Sequence, residues 1–177
     1  MEPRLKVAHQ PHCHAKPGRI IKNLLLCARP QRQDLDARAL QHLTLEAELQ
    51  RAIDNDELCL HYQPKVDAID GRLLGAEALV RWNHPERGFM SPAQFIPVAE
   101  SSGLIIPLGQ WVLREACRQA RAWRDAARPM LTISVNVSPQ QFRQPGYVEA
   151  VRGVVREFGS GDGLCLELTE SSMMDQP

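Results

Sequence analysis

The sequence has 177 residues, 44% of them hydrophobic and 24% charged, as expected for one soluble globular domain or a domain fragment, and it is long enough to bury a core. Lys plus Arg and Asp plus Glu both number 21, so no net field draws the molecule onto DNA, RNA or an anionic membrane, and any phosphate-bearing ligand has to be held by local groups. The five cysteines, Cys13, Cys27, Cys59, Cys117 and Cys165, lack paired spacing, which speaks against a disulfide framework or structural zinc and for reduced thiols in the cytoplasm.

Residues 1 to about 43 are rich in His, Pro, Arg and Gln without a sustained apolar period, and little independent structure is expected there. Within them, the run from Ile20 to Ala28 is too short and too polar to span a bilayer, and no ordered signal-peptide pattern is present. His12, Cys13 and His14 are adjacent rather than spaced as metal ligands are.

From Thr44, the residues Leu45, Leu49, Ala52 and Ile53 share one helical face, with Glu46 and Glu48 in the first turn where a helix dipole favours them. Leu58, Leu60 and Tyr62 then alternate with Cys59, His61 and Gln63, predicting a strand that ends at Pro64. Asp70-Gly71 signals a hairpin returning through a strand from Arg72 to Trp82. Two helix starts follow the same design, Ser91-Pro92-Ala93-Gln94 and Ser138-Pro139-Gln140-Gln141: a serine cap, proline at the first position and a glutamine to complete a capping box.

Between them, a helix from about Leu108 to Ala126 is expected to bury Val112, Ala116, Ala120 and Trp123 and to leave Arg114, Arg118, Arg121 and Arg124 as a solvated stripe. A strand from Leu131 to Val137 comes next. Tyr147, Val148, Val151, Val154, Val155 and Phe158 then form the apolar stripe of another helix, before glycines and a final strand from Leu164 to Thr169. Strand and helix in alternation is the rhythm of parallel α/β architecture, including the (β/α) barrel, here with an unusual opening hairpin.

Period two puts Glu77, Leu79 and Arg81 on one face of their strand and Ala76, Ala78 and Val80 on the other. Thr132, Ser134 and Asn136 oppose Ile133, Val135 and Val137 in the next, and Cys165, Glu167 and Thr169 oppose Leu164, Leu166 and Leu168 in the last, with Glu170 just beyond. Three strands thus offer Glu77, Asn136 and Glu167 toward the rim where α/β barrels build active sites, an oxygen set suited to magnesium or manganese. Taken singly each has a plainer reading: a Glu77–Arg81 ion pair, a loop-capping amide at Asn136, a solvent-facing carboxylate at Glu167.

The surrounding words narrow the choice. LHYQPKVD at 60–67, GAEALVRW at 75–82, FIPVAE at 95–100, SVNVSPQQF at 134–142 and LELTES at 166–171 closely resemble, in order and spacing, the EAL family of cyclic-di-GMP phosphodiesterases from about Leu45 onward. The resemblance implies an EAL-type modified TIM barrel and two-metal hydrolysis of cyclic di-GMP to pGpG, with Mg²⁺ or Mn²⁺ as cofactor. It implies metal ligation by Glu77, Asn136 and Glu167, and catalytic roles for Glu77 and for Glu170, the latter holding an active-site loop in place. It also implies ligand contacts from Gln63 and Arg81, the latter a fork suited to a phosphodiester, and it leaves a homodimer open.

The family's later words, an aspartate pair in a DDFGTG-like segment, a lysine and a further glutamate, are absent. Residues 44–177 are therefore expected to form the N-terminal portion of an EAL domain, an incomplete (β/α) barrel against the usual ~250 residues, and to be inactive if nothing completes them. The alternatives are a non-catalytic cyclic-di-GMP-binding or regulatory module and a disrupted-gene product. His14-Ala15-Lys16 with Gly18-Arg19 faintly resembles the tail of a GGDEF domain.

Overall fold

A computed structural model describes residue 37 and residues 39–126, 131–159 and 161–168. The expectations for residues 1–36, including His12–His14 and the GGDEF-like tail, and those for Thr169 and Glu170, fall outside the described residues. From His42 onward the described residues belong to one compact unit.

The elements are helix α1 (39–54), strands β1 (Leu58–Val66), β2 (Leu73–His84) and β3 (Gly88–Met90), helices α2 (Pro92–Ser102) and α3 (Ile105–Asp125), strand β4 (Thr132–Asn136), helices α4 (Pro139–Phe142) and α5 (Tyr147–Glu157), and strand β5 (Leu164–Glu167). The sheet order is β1-β2-β4-β5, with β3 also on β2. β1 and β3 pair antiparallel with β2, whereas β2, β4 and β5 run parallel. Among the described residues this mixed α/β sheet is open, with β1 and β5 at its edges, so the expected incomplete barrel is the fold observed.

Three boundaries differ from expectation for physical reasons. β1 continues through Pro64 to Val66, because an edge strand needs no ladder donor on its outer side. α1 extends ahead of Thr44, so Glu46 and Glu48 are mid-helix and no dipole argument applies; Glu48 instead lies 2.9 Å from Arg87 Nη2 and 3.2 Å from Nε2 of buried His84. The short β3 follows a reversal at Gly88 (φ 69°), a backbone region where glycine has no Cβ penalty.

The cap signals hold. Ser138 accepts from the Gln141 N–H at 3.2 Å while the Gln141 side-chain oxygen accepts from the Ser138 N–H at 3.1 Å; at Ser91 the Gln94 side chain makes the same return contact at 2.9 Å. Gln141 fits because Gly109 on α3 leaves it room: a Cβ there would meet its Nε2 at 1.6 Å.

The core lies between the apolar face of the sheet and the helices. Ala78, Ile133 and Val135 pack with Leu49 and Ala52 of α1, Phe95 and Ala99 of α2, and Leu108, Val112 and Ala116 of α3. The stripe on α5 is shallower, with Val154 fully buried and Val148 half exposed. Arg114, Arg118 and Arg121 of α3 are exposed as expected, whereas Arg124 is half-buried and its Nη2 donates to the Phe158 carbonyl at 3.2 Å; with Arg114 paired to Glu157 at 2.5 Å, this ties α3 to the end of α5. Cys59, Cys117 and Cys165 are free thiols. No described helix is long and apolar enough to cross a membrane.

Trp82 anchors this layer. It is 0% exposed, packs edge-on to Phe95 with centroids 5.6 Å apart, and donates through Nε1 to Glu57 Oε2 at 3.0 Å. Trp82→Ala is expected to destabilise the domain by about 3–5 kcal/mol, through lost burial and an unfilled cavity. An unchanged urea midpoint would remove Trp82 from this role.

Candidate functional site

Glu77 projects from the middle of β2, Ser134 and Asn136 from β4, and Glu167 from the end of β5. Register makes them neighbours: Glu77 stands opposite Ser134, and Asn136 opposite Glu167. The alternate residues Ala76, Ala78, Ile133 and Val135 are buried, so pleat parity turns these four toward the other, open face. Gln63 on β1 lies opposite Glu77 across the antiparallel pair, and is exposed.

The Asn136 Nδ2 donates to Glu77 Oε1 at 2.6 Å, joining two of the residues singled out from sequence. The plainer readings do not hold for this pair. Asn136 caps no loop through that amide, and Arg81 makes no ion pair with Glu77; its Nη1 donates to its neighbour's carbonyl, Val80 O, at 2.8 Å. Glu167 is partly solvent-facing, with 37% of its side chain exposed, but it is not alone.

Its partner is Lys65, a residue the sequence reading did not single out. The Lys65 ammonium lies 2.5 Å from Glu167 Oε1 and donates to Ser134 Oγ at 2.7 Å. Lys65 stands opposite Gly75, so no β2 side chain obstructs a stem that passes across to β4 and β5. The signal was present in the period of β1, which gives Lys65 the same parity as Gln63. The partner was hidden, because 102 residues separate the two ends of the bond.

Electrostatics follow this contact. The bond to Lys65, then one to the Ser134 hydroxyl, hold the Glu167 carboxyl below its ordinary 4.5 against a smaller opposing effect of burial. The same bond to Glu167 raises the Lys65 ammonium above its ordinary value, with charge attraction from Glu167 and Glu77 adding to it. Among the described residues no three His, Cys, Asp or Glu side chains cluster as a metal group, since the third oxygen donor here is an amide. Two cavities, of about 500 and 290 Å³, lie against the helix-facing side chains, the first by Val137 and Leu113 and the second by Val137 and Leu108; both touch Asn136, and the second also touches Leu79.

Parallel strands with helices on one face and converging acid and amide side chains on the other define an α/β-barrel type of site. Residues 46–177 match the EAL domain family, and the chain belongs to that family. It is 45% identical over 141 residues to the bifunctional diguanylate cyclase/cyclic di-GMP phosphodiesterase MucR of Pseudomonas aeruginosa, covering 79% of this chain and 21% of MucR. It is 39% identical over 143 residues to the cyclic di-GMP phosphodiesterase PdeR of Escherichia coli K12, covering 80% and 21%.

Among solved structures, the PaMucR phosphodiesterase in complex with c-di-GMP is similar with a TM-score of 0.71 and 45% identity, over 75% of this chain and 54% of that one. The Xanthomonas citri FimX EAL domain in complex with c-di-GMP is similar with a TM-score of 0.68 and 26% identity, over 78% and 53%. The chain thus spans about a fifth of these curated relatives and about half of these solved chains.

Because its carboxyl is depressed on folding, Glu167 contributes stability that is present above its unfolded pKa and lost as pH falls through its lower folded value. Lys65→Met is expected to raise the Glu167 pKa toward 4.5, read from side-chain carboxyl chemical shifts in an acid titration. An unmoved titration would show that Lys65 is not what holds it.

Proposed function

We propose that this chain carries the cyclic-di-GMP-facing part of an EAL phosphodiesterase site. The observation behind this reading is the single open face on which β2, β4 and β5 present Glu77, Asn136 and Glu167, in a chain of the EAL family. The relatives named as cyclic di-GMP phosphodiesterases, and the EAL complexes with c-di-GMP, supply the ligand class.

In this reading Arg81 addresses a phosphate oxygen of the dinucleotide, since its guanidinium retains donors beyond the one given to Val80 O. Gln63, exposed across from Glu77, offers an amide to the same ligand. Glu170 is the candidate for ordering the loop after β5.

The oxygen set also fits Mg²⁺ or Mn²⁺. Glu77 and Glu167 would hold the ion through carboxylates. Asn136 would hold it through its side-chain carbonyl, which the amide bond to Glu77 leaves without a partner among the described residues. When bound, such an ion would neutralise phosphodiester charge and activate water. Two-metal hydrolysis sets two ions about 3.5–4 Å apart, and the three protein donors found among the described residues are too few to fix both. We therefore infer that residues 1–177, taken alone, bind without turning over.

Titration calorimetry with cyclic di-GMP tests this. Binding to the folded chain is expected, weakened roughly ten-fold or more in Arg81→Ala, the scale of a lost hydrogen bond to a charged group. No heat from a sample folded by circular dichroism would remove the reading. Release of pGpG by the isolated chain in Mg²⁺ or Mn²⁺ would overturn the inference of binding alone.

A further inference from the structure

Among the described residues, Lys65 is the one group on this face that bonds a carboxylate from three strands away, and nothing in the proposed function uses it. We propose that Lys65 is an internal counter-cation of the divalent-metal site: its ammonium occupies the Glu167 oxygen that a metal ion would take, and metal entry requires Lys65 to withdraw. This rests on the reading of Glu167 as a metal donor.

Three observations carry it. The ammonium lies 2.5 Å from Glu167 Oε1 and also donates to Ser134 Oγ at 2.7 Å, so it has a defined seat rather than a loose surface contact. Ser134, only 3% exposed, forms the floor of that seat. The position opposite Gly75 gives the stem its path, and the side chain is 40% exposed, so it can swing back to water.

The two cations compete for Glu167 Oε1. Magnesium bonds oxygen at about 2.0–2.1 Å. An ion at that distance from Oε1 would share the oxygen with an ammonium 2.5 Å away, two positive charges crowded onto one acceptor. A lysine is suited to this part, being a compact point charge on a flexible stem rather than a rigid fork. The consequence is a site whose metal affinity is set below what its oxygen donors alone would give. Without an ion, its paired carboxylate is never left uncompensated.

The test is Mn²⁺ binding to the full chain, followed by electron paramagnetic resonance of the free ion, for the wild type, Lys65→Met and Glu167→Gln. Lys65→Met is expected to bind Mn²⁺ at least ten-fold tighter, and Glu167→Gln at least ten-fold more weakly than wild type. If Glu167→Gln weakens binding and Lys65→Met leaves it unchanged or weaker, the counter-cation proposal fails and the Glu167 reading stands. If Glu167→Gln binds as the wild type does, or if no variant binds Mn²⁺, the reading of Glu167 fails and this proposal with it.

A second measurement needs no variant. Amine acylation of the wild-type chain, quantified at Lys65 by mass spectrometry, is expected to rise several-fold when Mn²⁺ is added, as the ammonium is released. Labelling that is unchanged while Mn²⁺ is bound overturns the proposal, and this arm decides the matter should Lys65→Met fail to fold.

Discussion

The approach of Gly75 to Thr132 fixes how β2 lies against β4. A Cβ on residue 75 would meet the Thr132 carbonyl oxygen at 2.1 Å, a distance that real side chains do not tolerate, and its backbone nitrogen at a tight 3.1 Å. With glycine there, Gly75 pairs with Thr132, and Glu77 therefore with Ser134. Side-chain direction alternates along a strand, so a one-residue slip would turn one strand over, carrying Glu77 into the core or else Ser134 in and Ile133 and Val135 out. The site and the core are two readings of one register.

What keeps that register is the apolar layer beneath it. Ile133, Val135 and Ala78 are nearly inaccessible under α3, and Trp82 with Phe95 extends the same layer toward α1 and α2. Among the described residues the polar face has no comparable apolar layer over Glu77, Asn136 and Glu167. Its side chains are positioned by the strands that bear them and by three bonds, Asn136 to Glu77, Lys65 to Glu167 and Lys65 to Ser134, each between residues distant in sequence. Rigidity is supplied from one side of the sheet and chemistry is displayed on the other, the arrangement in which a strand end can carry a reactive group without weakening the core.

Much of this was legible in residue order. Period two assigned the faces of β2, β4 and β5 correctly, and the two Ser-Pro-x-Gln words became capped helix starts, because both signals are local. The misses share a cause. β1 running through Pro64, Glu48 turning from the helix dipole to Arg87 and His84, and the three-residue β3 depend on which element lies alongside, which no window of sequence contains. Lys65 is the sharpest case. Its parity was readable, but its partner on β5 emerges only once the strand order is known, and the same holds for the turn of Asn136 toward Glu77.

The chain as a whole carries equal numbers of basic and acidic residues, so ligand choice on this face rests on local charge. Two basic side chains accompany Glu77 and Glu167 there, and the structure separates their parts. Lys65 spends its charge within the sheet, on Glu167 and the Ser134 hydroxyl. Arg81 bonds only a carbonyl of its own strand, so no carboxylate among the described residues takes up its charge. A guanidinium in that state presents planar donors to solvent at the edge of an acidic cluster. One face thereby holds carboxylate oxygen and an uncommitted guanidinium together, which in the proposed reading would meet a cation and a phosphodiester anion.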